Sequence, residues 1–580
     1  MILMFVVLFN QDSEILSLLL RAGMARQLNQ VHIAVALVDE ALALNPHHAD
    51  TQALKIELEM MRRDRMDGAL QSHEILSLIL NNIDEFSADY RFNKYCGMLL
   101  AREPSLLNET DVELPVVYFD RSLDLLGDDD PYEQAEIIYF KGQWLLKENR
   151  VFEAADAFRQ VVLTNPEMTW AWYYAGQSYE LARYARTSLH YYEEFRKRSR
   201  FLPAPTDVSL RLTTSLLRAL IDPSNQKVGA LLNELKDTQA GLGQYLEASG
   251  ALFRANQLEA ACLVLESAPQ TGMRHGLFQI RLFMNLMALE RFEDAFHQVS
   301  AAIQETNVPT IRQRLLEFAL EASLLSGHPQ MWEQLPIAQR ELADESPNGA
   351  WMRWVLEHQA GGPHRDVNEV LSLWPQDELT SNQVENVKKI GAEAACSLFV
   401  SGLYWRYHFF RRAVEAVRPH ALMKGAALEV RLTYADGLAM MGEYEAAFNT
   451  YRSIQLDHAF SADVLNNYGY FLLESGQNPV LARELIEESL RLEPDCRACL
   501  DSLGWAHFKL GDFQRAEQFI RRALARDKED PEKLEHLGDV LWHLGEREQA
   551  RKYWSLALQN MSDFAVNSRY KIVLDKLDPP

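Results

Sequence analysis

Three stretches near the C-terminus carry the reading: Leu465-Asn466-Asn467-Tyr468-Gly469-Tyr470, Asp501-Ser502-Leu503-Gly504-Trp505 and His536-Leu537-Gly538-Asp539-Val540-Leu541-Trp542. Their glycines recur at intervals of 35 and 34. A second series, Gly442, Gly476, Gly511 and Gly545, follows at 34, 35 and 34. Between the two series come Ala447-x3-Tyr451, Ala516-x3-Ile520 and Ala550-x3-Trp554, with Ala523 and Ala557 seven positions after the last two alanines. Two antiparallel helices approach closely only where a small side chain meets a neighbouring backbone, so a glycine recurs on one helix and an alanine on the next. The large residue after the alanine fills the space toward the following pair. A glycine after the first helix permits the left-handed turn that sends the chain back. One such pair cannot bury its apolar face alone, but stacked pairs can.

The same ruler extends toward the N-terminus. Trp172-Tyr173-Tyr174-Ala175-Gly176-Gln177-Ser178-Tyr179 has its counterpart one interval earlier around Gly142, in Phe140-Lys141-Gly142-Gln143-Trp144. Ala154-x3-Phe158 then Pro166, and Ser188-x3-Tyr192, complete these two units. Near the start, Ala22, Ala34-x3-Val38, Ala41 and Pro46 fit the pattern; in the middle, Ala261 and Ala295 are again 34 apart. Proline at 46 and 166 ends a second helix because it cannot continue the hydrogen bonding. These residues resemble the tetratricopeptide repeat, whose pattern is Trp-x2-Leu-Gly-x2-Tyr, then Ala-x3-Phe, then Pro.

The resemblance implies an all-α fold, a right-handed α-α superhelix with divergent repeats in the middle. It is strongest at 137–198 and 428–560 and fair at 12–65 and 245–305. The expected organisation is N-terminal repeats over 1–103, an acidic loop-bearing insertion over 104–135 and a well-matched pair over 136–200. Divergent helical repeats over 201–427 and a C-terminal array with a terminal capping helix over 428–580 follow. Breaks are expected at 201–205, at Asp222-Pro223-Ser224-Asn225 and near Gly361-Gly362-Pro363.

Composition narrows the function. The 580 residues hold 58 basic against 82 acidic side chains, a formal net charge of −24. Such a chain is a poor partner for nucleic acid or an anionic membrane through its overall field. Five cysteines, an odd number, argue against a disulfide framework. Met1–Phe9 is apolar, yet nine residues rise only about 14 Å as a helix, too short to span a bilayer. It lacks a basic leader and a small-residue cleavage site. It is expected to pack on the end of the solenoid, with a truncated or atypical export signal as the alternative. The body is expected to be soluble, in the cytoplasm or the bacterial cell envelope.

Catalytic chemistry finds little footing. No Gly-x-Ser-x-Gly, His-Glu-x2-His, Walker or dinucleotide fingerprint is present. No catalytic residue, cofactor or metal is expected. Cys496-Arg497-Ala498-Cys499 is the sharpest chemical signal. A structural zinc needs four ligands, and no second Cys-x2-Cys exists. A thioredoxin-like site would need a strand-to-helix setting. Ordinary helix packing is the expectation there, with redox or metal use as the alternative. His47-His48 and Asp128-Asp129-Asp130 read as solvated turns. Asn108-Glu109-Thr110 and Asn560-Met561-Ser562 fit a glycosylation triplet, which matters only after export.

Function then resides in surface shape. In tetratricopeptide arrays the first helices line a concave groove. Offsets −2, +1 and +4 from the small glycine give Asn467, Tyr470 and Leu473, then Ser502, Trp505 and Phe508, then His536, Asp539 and Trp542. With Asp501 and Glu535 one position earlier, the expected partner-binding groove comprises Asn467, Tyr470, Asp501, Trp505, Phe508, Asp539 and Trp542. Aromatics supply contact area, asparagine can bond a peptide backbone and carboxylates can hold basic groups. The plainer reading is that several of these aromatics pack between adjacent first helices. Some arrays clamp acidic tails with lysines and asparagines; the matching positions here, Asn466, Asn467, Asp501, Ser502, Glu535 and His536, include no lysine. A neutral or basic extended segment, or a folded partner, suits such a groove better.

The C-terminal stretch from Leu465 to Trp554 also looks like the end of a group of long bacterial tetratricopeptide proteins. Several of these are attached to the envelope and act as assembly factors or protease adaptors. The resemblance implies a non-catalytic scaffold or adaptor that binds one or more proteins and no nucleic acid. The alternatives are an oligomeric structural subunit, or a redox or metal protein using Cys496 and Cys499.

Overall fold

The computed structural model describes residues 2–64, 72–86, 88–108, 113–199, 201–269, 276–361, 389–457, 461–561 and 569–579, with backbone only for 2–13 and 64. Gly362-Pro363, Glu109-Thr110 and Ser562 lie outside these residues, as do the side chains of the N-terminal apolar run. The described residues are helices joined by turns, with no strand among them. They form two units, residues 1–182 with 187–202, and residues 183–186 with 203–580.

The first unit is a succession of helical hairpins: Ile2–Gln27 with Val31–Leu44, Ala49–Asp64 with Ser72–Glu85, Tyr90–Arg102 with Pro115–Leu126, and Pro131–Lys147 with Val151–Thr164. Thr169–Leu181 opens a further one. Small residues set the approach of each pair. A Cβ on Gly142 would lie 2.9 Å from the Phe158 ring, and one on Gly176 would lie 2.7 Å from Tyr192. Pro46 and Pro166 each stand two positions beyond a second helix, after Leu44 and Thr164. Asp130 caps Pro131–Lys147 by accepting the amides of Tyr132 and Glu133, while Pro131 supplies the preset φ of a first helical residue.

The described residues of 104–135 are mostly helical. A short 3-10 turn at Pro104–Asn108 leads to Pro115–Leu126, which pairs with Tyr90–Arg102. Phe119 lies against Gly97, 2.9 Å from where a Cβ would stand. The chain between Gly97 and Phe119 is longer than that between Gly142 and Phe158. The longer connection throws this hairpin off the regular repeat interval.

The second unit continues the hairpins through Leu242–Arg254 with Leu258–Glu266 and Gly276–Ala288 with Phe292–Glu305. After Pro309–Ser326 the alternation breaks. Gly327, at φ 72°, leads into a 3-10 turn (Pro329–Gln334), a short helix (Ile337–Leu342), a second 3-10 turn (Ala343–Glu345) and Pro347–Gln359, which packs on Pro309–Ser326. The helix Ala392–Arg406 restores the stack: the Tyr404 hydroxyl donates to the Leu325 carbonyl at 2.9 Å, and Arg406 pairs with Glu321 at 2.9 Å. Phe410–Ala421 completes that hairpin.

Four regular pairs follow. They are Leu428–Met440 with Tyr444–Asp457, Ala462–Glu474 with Pro479–Leu492, Arg497–Lys509 with Phe513–Leu524, and Pro531–His543 with Arg547–Asn560. Gly442, Gly476, Gly511 and Gly545 turn each first helix into its second at φ between 71° and 87°. Tyr570–Leu577 packs on the last of them and buries Tyr570, Val573, Leu574 and Leu577.

Candidate partner-binding groove

The candidate residues lie on three consecutive first helices, Ala462–Glu474, Arg497–Lys509 and Pro531–His543. Each helix faces its second helix with a glycine. A Cβ at 504 would lie 2.5 Å from Ile520 Cγ1 and 3.0 Å from the Ala516 carbonyl oxygen. That side of the helix is therefore spent on the hairpin, and the residues one turn away project toward the neighbouring first helices.

There they bond one another. Asn467 donates to Asp436 of the preceding first helix at 3.1 Å, and Tyr451 donates its hydroxyl to the same carboxylate. Burial pushes the Asp436 carboxyl up to about 6, against the lowering effect of those two bonds. Trp505 is only 5% exposed. Its indole donates to Glu474 at 2.8 Å, and its ring stacks between Phe508 (4.6 Å) and His536 (4.1 Å). Asp501 is buried with Oδ2 at 2.9 Å from His536 Nδ1. Burial opposes charge on this imidazole, but the Asp501 carboxylate outweighs it and raises His536 to about 9. Tyr470 reaches past one whole hairpin to donate to Glu532 at 2.6 Å.

The last first helix is bonded by the terminal segment. Glu535 is buried between Arg569 at 2.7 Å and Lys576 at 2.8 Å, which hold its carboxyl below the usual range despite the opposing effect of burial. Lys576 also pairs with Asp539 at 2.7 Å, and the Trp554 indole donates to Asp539 at 2.9 Å. Arg569 and Lys576 escaped sequence reasoning because they stand beyond the last second helix. The signal was present: Arg569 follows Glu535 by one full repeat interval.

The structure thus brings all seven candidates onto one run of helices but gives them different exposure. Asp501 and Trp505 are interior, and Asn467, Tyr470 and Asp539 are partly covered with their polar atoms engaged. Phe508 is partly accessible and Trp542 is 36% exposed. Phe508 and Phe513 cluster with His543, at 4.9 Å and 5.0 Å, while the Trp542 ring lies 5.4 Å from Trp554. Two cations stand over neighbouring rings: Lys509 lies 4.7 Å over Trp505 and Arg547 5.2 Å over Trp542.

A second concavity, an open cleft of about 1000 Å³, lies where the chain rejoins the stack after Pro347–Gln359. Tyr404, His408, Phe410 and Arg411 line it together with Glu290 and Glu415. Arg412 closes one side through Glu290 at 2.6 Å. His408 turns the chain at φ 59°, and burial lowers its basicity. Among the described residues, no group of three or more His, Cys, Asp or Glu is placed to hold a metal ion, and no helix is long and apolar enough to cross a membrane.

The match to a known family falls on this same array. The tetratricopeptide repeat family matches residues 474–531 and 502–562. The TPR repeat-containing protein PA4667 of Pseudomonas aeruginosa is 40% identical over 79 residues, 14% of this chain and 13% of that one. The type IV pilus assembly protein PilF of Pseudomonas aeruginosa is 27% identical over 141 residues, 23% of this chain and 56% of that one. The chain therefore spans about an eighth and just over half of the lengths of these two relatives. The solved structure of Pseudomonas aeruginosa PilF aligns with a TM-score of 0.33 at 15% identity, covering 41% of this chain and 97% of that one. With this family match and with its small-residue hairpins and left-handed turn glycines, the chain carries tetratricopeptide repeats over 474–562.

Proposed function

We propose that this chain is a non-catalytic scaffold that recruits another protein through the accessible part of its C-terminal first-helix face. The observation that carries the reading is the aromatic cluster of Phe508, Phe513 and His543, with the exposed Trp542 next to His543 in the chain and cations over two neighbouring rings, Lys509 over Trp505 and Arg547 over Trp542. Exposed aromatics beside cations favour a partner segment that inserts an apolar side chain and offers a carboxylate or carbonyl next to it. The carboxylates expected to hold basic groups, Asp501 and Asp539, already have partners in His536 and Lys576. This preference differs from the neutral or basic extended segment, or folded partner, that the composition of the groove suggested. The likeness to a pilus assembly protein supports a role in building or recruiting a bacterial complex.

The test is affinity capture from the native cell, then titration calorimetry of the captured protein against the purified chain. Phe508→Ser with Trp542→Glu should weaken binding at least about tenfold, the loss of roughly 1.4 kcal/mol, with helicity retained. Undiminished affinity would remove this face from consideration.

A second reading, an oligomeric subunit, draws on the first helix. Leu16, Leu20 and Met24 are 59%, 64% and 63% exposed at a spacing of four, so they form one apolar stripe. Light scattering should then give a multiple of 66.5 kDa that Leu20→Glu with Met24→Glu returns to a single chain.

A further inference from the structure

Cys496 and Cys499 are joined in a disulfide at the start of Arg497–Lys509, where ordinary helix packing was the sequence expectation. The two sulfurs sit in different surroundings. Cys496 is the N-cap residue, partly exposed, and its Sγ accepts the backbone N–H of Cys499 at 3.1 Å. Cys499 is 1% exposed, with its Sγ 3.1 Å from Ser489 Oγ. Ser489 spends its own proton on the Ala462 carbonyl at 2.8 Å, so its lone pairs are left to receive an S–H. Both sulfurs therefore keep a partner when the bond is open: a thiolate at 496 is held by an amide N–H and the helix N-terminus, and a neutral thiol at 499 donates to Ser489. A helix start, not a strand, supplies these effects, so the all-helical setting does not forbid the chemistry. The remaining cysteines differ. Cys96, Cys262 and Cys396 are buried, and burial pushes each thiol up to about 12.

We propose that Cys496 and Cys499 form a reversible thiol–disulfide exchange site for small thiols of the glutathione class. In reduction, a thiolate RS⁻ attacks the accessible Cys496 Sγ. The RS–Cys496 bond forms, the Cys496–Cys499 bond breaks, and Cys499 leaves as a thiolate that takes a proton from solvent. A second RS⁻ attacks the small-thiol sulfur of that mixed disulfide, releasing RSSR and the Cys496 thiolate. Two electrons pass from two RSH to the protein disulfide. The reverse sequence reoxidises the pair.

The full chain is equilibrated with reduced and oxidised glutathione at a series of ratios, alkylated, and read by mass spectrometry of the peptide spanning 496–499. The pair should pass between oxidised and reduced forms with a second-order dependence on reduced glutathione, while circular dichroism stays native. Cys499→Ser should trap one glutathione on Cys496, released by dithiothreitol. Cys496→Ser should trap at least about tenfold less on Cys499, because that sulfur is buried. A disulfide that resists about a hundredfold excess of reduced glutathione until the chain unfolds overturns the proposal, as does a reduced pair that oxidised glutathione never closes. If Cys499→Ser does not fold, the wild-type titration decides alone.

Discussion

The regular C-terminal pairs and the middle hairpins reach one geometry by different side chains. At 504 and 538 a glycine sits under the carbonyl of the alanine twelve positions on, Ala516 or Ala550. In the middle, Ser249 and Ser401 occupy that position. Each donates its hydroxyl at 2.9 Å to the equivalent carbonyl, that of Ala261 or Ala413. Asn285 of the next first helix bonds Ser249 in turn at 3.0 Å. The array closes by contact and the middle closes by hydrogen bonding. Contact tolerates no added volume, whereas a hydroxyl can be removed at the modest cost of one buried bond.

That difference can be broken from the contact side first. Gly504→Val should destabilise the C-terminal pairs by about 2–3 kcal/mol, because its Cβ would meet Ile520 Cγ1 at 2.5 Å. Hydrogen exchange should report the loss across 497–560 and leave the first unit protected, since repeat arrays are coupled mainly to their neighbours.

A second consequence is peculiar to the array. Folding raises His536 from the ordinary 6.5 to about 9, with burial opposing and Asp501 prevailing. Its contribution to stability is whole below pH 6.5 and is lost as pH rises through about 9. The denaturation midpoint of the array should fall across that window, by on the order of 3 kcal/mol in stability. His536→Gln should flatten the fall; an unchanged slope would place the titrating group elsewhere.

The smallest effect belongs to the middle. Ser249→Ala should cost about 1 kcal/mol, the loss of a buried hydrogen bond, read as a lower urea midpoint with unchanged helicity. A cost as large as that of Gly504→Val would mean the two regions close alike.

Much of the fold was legible along the chain. Gly142, Gly176, Gly469, Gly504 and Gly538 each face the bulky second-helix residue 16 or 17 positions on. Ser249 and Ser401 went unread because a serine can play the small residue only when its hydroxyl finds a carbonyl, and that carbonyl belongs to the packed hairpin. The spacing of twelve to a buried alanine, which they share with Gly504 and Gly538, was the available signal. The excursion after Gly327 gave no such sign, since Trp351 and Trp354 could equally have served a regular second helix.

The candidate groove divides along the same line. Its residues were found by offset from a glycine, and the offset does select one face of each helix. It is silent on whether that face stays open. Trp505 is covered by His536 of the next first helix, and Asp539 is neutralised by Lys576 of the terminal helix.

Hairpin formation rests on small, large and turn-forming residues at short, regular intervals, so order along the chain sufficed to establish the repeating helical architecture. Accessibility is a sum over neighbours brought together from other repeats and from Tyr570–Leu577. Three-dimensional packing alone settled which aromatics face solvent and which sulfur is within reach, because burial is a property of the surroundings and not of the residue.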